Sequence, residues 1–188
     1  THMLTAAHCV VGLDFDKIKP QGGGESSRSG LNLLPGVKSV HINPGYTNWN
    51  AKNLKTKHSD LAIVELQESV AFDETLKPVN LPLNYRIDAE LIKNRNSNLA
   101  IMGWGRVADS SAPSKKLKIL NNIYLLPGPD SSYWSGGRIE VELYIGRSKG
   151  NDLISTFKTG DYLIAKNTLG QSCRGDSGGP MIDLATNI

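Results

Sequence analysis

One short segment narrows what this chain can fold into more than any other: Gly175-Asp176-Ser177-Gly178-Gly179-Pro180. A serine stands among glycines, an aspartate precedes it directly, and a proline closes the stretch. The chain can bend sharply on both sides of Ser177, because glycine reaches backbone conformations that other residues avoid. A serine hydroxyl is a poor nucleophile at neutral pH, so it needs a base to take its proton and donors to hold an oxyanion. A tight bend lets the N–H groups of Gly175 and Ser177 converge on one oxygen, while Gly178 and Gly179 keep the hydroxyl's surroundings clear. The plain alternative is a Gly/Ser surface turn, which a bare Gly-x-Ser-x-Gly match does not exclude.

The same pattern suits the nucleophile elbow of the α/β-hydrolases, where the order along the chain is serine, acid, histidine. Here His2, His8, His41 and His58 all precede Ser177, and the eleven residues after it contain no histidine. Histidine first, acid between and serine last is the order of the chymotrypsin class. The candidate histidine is His8 in Leu4-Thr5-Ala6-Ala7-His8-Cys9, where small residues permit close packing and an apolar lead-in predicts the end of a buried strand. The candidate acid is Asp60, set between polar Lys55-Thr56-Lys57-His58-Ser59 and apolar Leu61-Ala62-Ile63-Val64-Glu65-Leu66. A carboxylate at the mouth of a buried strand is costly unless it is hydrogen-bonded. An imidazole N–H would satisfy it and fix the useful tautomer. Taken singly, a His beside a Cys is commonly structural and an Asp at a strand entry commonly a cap. The three segments together outweigh those readings.

The chain resembles the trypsin/chymotrypsin family of serine endopeptidases. Leu4–Cys9 resembles the family's histidine motif, Asp60–Leu66 its aspartate motif and Ser172–Pro180 its serine motif. Asn43-Pro44-Gly45-Tyr46 is similar to the stretch before the aspartate. Phe72, Lys77-Pro78-Val79 and Leu81-Pro82 are similar to the end of the first barrel, and Met102-Gly103-Trp104-Gly105 to the opening of the second. Residues 126–160 match no segment of the family.

The resemblance implies an all-β fold of two six-stranded antiparallel barrels, residues 1–83 and 99–188, joined by a linker over 84–98. It implies His8, Asp60 and Ser177 as catalytic residues and the N–H groups of Gly175 and Ser177 as an oxyanion hole. It implies that Asp176 pairs with an amino terminus freed by cleavage. The floor of the specificity pocket falls at Gln171, a neutral residue that cannot pair with an Arg or Lys side chain of a substrate. Ser172 and Arg174 are the neighbouring substrate-binding candidates. The implied partners are polypeptide substrates and protein protease inhibitors, the setting secreted or periplasmic, and no cofactor is required. The alternative is a non-catalytic homologue that binds partners, although such relatives usually lose one of the three catalytic residues, all present here.

The resemblance further implies strands before His8 and after Pro180, so both barrels are expected to be incomplete within residues 1–188 and the activity of this piece weak or absent. It joins the cysteine beside the histidine, and the one near the serine, to partners outside this span. Cys9 and Cys173 are therefore expected as two unpaired thiols.

Composition agrees. The chain is 39% hydrophobic with 19 Gly and 9 Pro, which suits a turn-rich β protein. Strands are predicted at Val37–Ile42, Leu61–Leu66, Ala100–Trp104, Ile123–Leu126, Ile139–Ile145 and Tyr162–Ala165, and a short helix at Ala89–Lys93. The Gly-rich segment Gln21–Gly30 lacks the Lys-Ser/Thr pair of a phosphate loop, and the cluster Lys52, Lys55, Lys57, His58 reads as a solvated loop rather than a nucleic-acid surface. The histidines do not fall at metal-ligand spacings, and Cys9 and Cys173 are too isolated for a zinc cage. No apolar stretch approaches the length of a membrane span.

Overall fold

The structure, a computed structural model, describes residues 1–26, 30–46, 59–81, 98–108, 110–125, 165–167, 170 and 172–186. Two antiparallel sheets carry the molecule. In the first, β5 (Ala62–Leu66) is the central strand between β1 (His2–Thr5) and β4 (Val37–Ile42). Its alternation decides which face is buried: Ala62, Val64 and Leu66 point inward, while Ile63 stays exposed. The inward residues pack on Val37 and on Ala7 and Val10 of a one-turn helix, α1 (Ala7–Val10), with Cys9, Val40, Ile42 and Tyr46 against them.

Register in this sheet places the first two candidate residues. Thr5 at the end of β1 and Ile42 at the end of β4 both lie opposite Ala62, the first residue of β5. The strands are antiparallel, so the chain leaving β1 toward His8 and the chain entering β5 from Asp60 meet at one end of the sheet. Asn43-Pro44-Gly45-Tyr46 turns at that same end, held by Gly45 N–H donating to the Asn43 side chain at 2.9 Å and Tyr46 N–H to the Asn43 carbonyl at 2.8 Å.

The second sheet runs β8-β7-β6-β9, with β6 (Leu99–Gly103) between the long β7 (Lys118–Leu125) and β9 (Met181–Asp183); β8 is Ala165–Lys166. Buried Leu99 and Ile123, paired across β6 and β7, centre its core with Ile101 and Leu120. Because β9 starts directly after Pro180 and Ile101 pairs with Met181, the serine segment lies at the Gly103 end of β6. A small third sheet pairs β2 (Gln21–Gly22) with β3 (Asn32–Leu33). The loop after β2 reaches the ends of the second sheet's strands: the Glu25 carbonyl accepts the Trp104 indole N–H at 3.0 Å and the Leu117 N–H at 2.7 Å.

The fold is mostly β and antiparallel, as the sequence implies, and among the described residues neither sheet closes into a barrel. β4 has the predicted bounds; β5 begins one residue later than predicted, β6 is shifted by one residue toward the N-terminus at both ends, and β7 begins five residues before Ile123. One expectation is corrected. The strand before His8 forms, but His2, Met3 and Leu4 are exposed, because β1 is the outer strand of its sheet rather than a buried one. The predicted strand Ile139–Ile145, the helix Ala89–Lys93 and nearly all of the linker lie outside the described residues. Among the described residues no helix is long and apolar enough to cross a membrane.

Candidate active site

The helix α1 has one job at this end of the molecule. Ala6 is extended, with φ −77° and ψ 137°, and the single turn that follows buries Ala7 and Val10 while leaving His8 outside. Larger side chains at 6 and 7 would hold the turn off the sheet. From there His8 meets Asp60 at two points. Its backbone N–H donates to Asp60 Oδ1 at 2.9 Å and its ring Nδ1 to Oδ2 at 2.7 Å. With Nδ1 donating, the lone pair of the neutral ring sits on Nε2, which faces away from Asp60. Asp60 itself is aimed by Ser59, whose φ of 59° is left-handed and uncommon for a residue with a side chain. Burial, and the Asp60 carboxylate after it, push the Tyr46 phenol above its ordinary value, and the same two causes raise the Cys9 thiol.

The serine loop is held by a different carboxylate. Asp176 Oδ1 accepts the Gly105 N–H at 2.8 Å and Oδ2 accepts the Cys173 N–H at 3.0 Å. Two turns bracket the nucleophile candidate, with Asp176 N–H donating to the Cys173 carbonyl at 3.1 Å and Gly179 N–H to the Asp176 carbonyl at 3.0 Å. Gly175 (φ +98°) and Gly178 (φ +80°) supply the left-handed backbone that these turns demand. Among the described residues, the N–H groups of Gly175 and Ser177 donate to no protein acceptor. A Cβ on Gly103 or Gly105 would collide with the Asp176 carboxylate, so both glycines form its cradle.

Sequence reasoning passed over that cradle. Its only trace is a Gly-x-Gly at the end of an apolar strand, a weak signal by itself. Asp176 is engaged by backbone N–H groups, and among the described residues no cation pairs with it. Arg174 is exposed, with its carbonyl accepting the Arg106 N–H at 2.8 Å; Ser172 is exposed, and Gln171 lies outside the described residues.

The loop is docked on the histidine segment. A Cβ on Gly178 would overlap the Thr5 hydroxyl and come within 3.0 Å of the Ala6 nitrogen, so only a glycine permits this approach. Ser177 is exposed beside it. The Cys9 thiol lies between the two segments, 3.5 Å from His8 Nε2 and 3.5 Å from the Ser177 carbonyl oxygen, so its single proton is shared between two acceptors. Among the described residues no hydrogen bond joins the Ser177 hydroxyl to His8. Neither Cys9 nor Cys173 is in a disulfide.

The site thus sets an exposed imidazole fixed by a carboxylate near a serine-bearing glycine loop that docks on Thr5 and Ala6. The profile of the family described as Trypsin matches residues 1–188, and the chain belongs to that family. A venom protease of Bombus pensylvanicus is 26% identical over 191 residues, a match covering 96% of this chain and 64% of the relative. Trypsin 5G1 of Aedes aegypti is 28% identical over 180 residues, covering 96% of this chain and 57% of the relative. The chain thus spans roughly three-fifths of the length of these relatives. The crystal structure of a scabies mite inactivated protease paralogue has the same fold, with a TM-score of 0.68 at 18% identity over 98% of this chain and 68% of that one.

Proposed function

We propose that the protein to which this chain belongs hydrolyses peptide bonds through an acyl-enzyme. Ser177 attacks the scissile carbonyl carbon while His8 Nε2 takes the hydroxyl proton. The carbonyl oxygen, now an oxyanion, is received by the N–H groups of Gly175 and Ser177, and His8 returns the proton to the leaving amine. Asp60 holds the imidazole and stabilises its cation. A water then repeats the sequence on the acyl-enzyme. The observation that carries this reading is the two-point grip of Asp60 on His8, which commits Nδ1 and leaves the lone pair of the neutral ring on Nε2.

An imidazole works as a base only when neutral, so turnover rises from mildly acidic toward neutral and alkaline pH. Gln171 makes the preference other than trypsin-like, with Ser172 and Arg174 beside the substrate. Residues 1–83 and 99–188 act as two halves joined through 84–98, and Asp176 receives the activating amino terminus. The partners are polypeptide substrates and protein protease inhibitors, encountered outside the cytoplasm, which a venom protease among the relatives fits.

A second reading, a binding module without catalysis, is favoured by one contact: Nε2 faces the Cys9 thiol. A fluorophosphonate probe on the full-length protein decides between them. Labelling that maps to Ser177 and vanishes in Ser177→Ala supports the hydrolase; a folded, processed protein that stays unlabelled overturns it.

A further inference from the structure

Gly45 is an exposed turn residue whose φ lies outside the left-handed region, so no conformational need accounts for a glycine there. A neighbour does. A Cβ at position 45 would stand 2.9 Å from Ser59 Oγ, 3.4 Å from Ser59 Cβ and 3.4 Å from Asn43 Oδ1. Ser59 itself is left-handed, with φ 59°, a backbone in which a Cβ crowds the following carbonyl oxygen. The residue whose backbone suits glycine thus has a side chain, and the residue whose backbone would accept a side chain is a glycine. Ser59 is held in that state by its surroundings. Its carbonyl accepts the Leu61 N–H at 2.7 Å, which makes a three-residue turn with Asp60 at its centre. The Leu61 carbonyl accepts the Asn43 N–H at 2.9 Å, and Asn43 in turn closes on Gly45 and Tyr46. Contacts therefore run from the end of β4 through Ser59 to the backbone of Asp60, and only the Asp60 side-chain torsions remain to direct its carboxylate.

We propose that Gly45 and Ser59 are positioning residues for the acid of the site: the space left by Gly45 lets Ser59 keep its left-handed turn, and that turn aims both oxygens of Asp60 at His8. Neither residue touches the reacting atoms. Each acts through Asp60, whose Oδ1 and Oδ2 must reach the His8 backbone N–H at 2.9 Å and Nδ1 at 2.7 Å at the same time. A methyl group on residue 45 would push Ser59, rotate the turn centred on Asp60 and break that double contact. The imidazole would then lose its fixed tautomer, since the proton stays on Nδ1 only while a carboxylate oxygen receives it there. The catalytic meaning of this arrangement rests on the hydrolase reading; the placement of the carboxylate does not.

The test uses the full-length protein with two readouts. One is the rate of fluorophosphonate labelling at Ser177. The other is the nitrogen NMR shifts of the neutral His8 ring at alkaline pH, which report which ring nitrogen carries the proton and need no catalysis. Gly45→Ala should slow labelling about 10–100-fold, the scale of a misplacement of about 1 Å, and move the proton in part from Nδ1 to Nε2. In a Ser59→Gly background the same substitution should cost less than about threefold, because the obstructing side chain is gone and glycine takes the left-handed turn freely. Ser59→Val reaches the same turn without altering Gly45 and should reproduce both losses, since a β-branched residue resists that backbone. Gly36→Ala is the control: its methyl meets Gln67 at 2.9 Å at the opposite end of the same strand pair, and both readouts should stay as in the wild type. A folded Gly45→Ala that labels within tenfold of wild type, or keeps its ring proton wholly on Nδ1, overturns the assignment. So does a loss that Ser59→Gly fails to relieve, or one that Gly36→Ala matches. A wild-type protein that never labels would instead count against hydrolysis, and the ring shifts would still decide whether Gly45 and Ser59 place Asp60.

Discussion

The His8 corner and the Ser177 loop are both governed by a carboxylate, but the two carboxylates act on different things. Asp60 binds a ring: one oxygen takes the His8 Nδ1–H and the other the His8 backbone N–H, so position and tautomer are set together. Among the described residues Asp176 binds only backbone, spanning Gly105 from one strand end and Cys173 from the loop itself. The first sets the proton inventory of the site. The second sets the shape of the loop that carries Ser177, the loop to which the proposed mechanism assigns the oxyanion. If this division is right, damage to Asp60 should appear as lost proton transfer, and damage around Asp176 as lost oxyanion stabilisation.

The largest effect should come from Asp60→Asn in the full-length protein. Asparagine keeps the shape, but its NH₂ favours the tautomer with the proton on Nε2, and the Ser-His-Asp template loses about 10⁴-fold in kcat for that change. Fluorophosphonate labelling rates should fall comparably while the melting temperature moves little. A loss under about tenfold would break the comparison, because Asp60 would then be only a structural cap of β5.

Gly105→Ala tests the other half. Its methyl group enters the Asp176 carboxylate, and the loop must shift. Losing one oxyanion donor costs about 10²–10³ in kcat. The expected signature is that loss with the alkaline rise of the pH–rate profile unchanged, since the His8–Asp60 pair is untouched. A displaced profile would mean that the two carboxylates are coupled.

The comparison can be sharpened against the core beneath the histidine. Leu66 is 2% exposed at the far end of β5 from Asp60. Leu66→Ala should destabilise the chain by about 2–5 kcal/mol in urea unfolding, through lost burial and a residual cavity. In the full-length protein below its unfolding temperature, labelling at Ser177 should stay within a few-fold of wild type. A large fall in labelling would show that the corner is held by the sheet core rather than by Asp60.

What could be read in advance divides along the same line. Val37–Ile42 and the strand after Asp60 were legible because short runs rich in β-branched and apolar residues, bounded by polar or turn segments, mark strands without tertiary context. β2 and β3 are two residues each, too short for any period to show. The exposure of β1 was illegible because Leu4-Thr5-Ala6-Ala7 has the composition of an inner strand, and only its pairing with β5 alone makes it outer. The His8–Asp60 contact followed from chain order and the cost of a lone carboxylate. The turn of Cys9 toward His8 Nε2 did not, because neighbouring side chains usually diverge and here one helical turn decides otherwise.

A third carboxylate supplies the smallest effect and a control remote from the candidate site. Glu65, on the outer face of β5, accepts Lys38 Nζ at 2.7 Å and the Ser39 hydroxyl at 2.7 Å, with His41 Nε2 at 3.7 Å. The hydrogen bond from Lys38, followed by that from Ser39, lowers its pKa to about 2 from an ordinary 4.5. A carboxylate with a depressed folded pKa lends stability that is full above its unfolded value and fades as pH falls toward the folded one. The melting temperature should therefore drop between about pH 4.5 and 2, and Glu65→Gln should flatten part of that slope while leaving stability near pH 7 slightly lower. Because the pair with Lys38 is on the surface, the change should be small and shrink further in high salt. If Glu65→Gln instead altered labelling at Ser177, the outer face of β5 would have to communicate with the Asp60 end, and the corner could no longer be treated as set by its own two side chains.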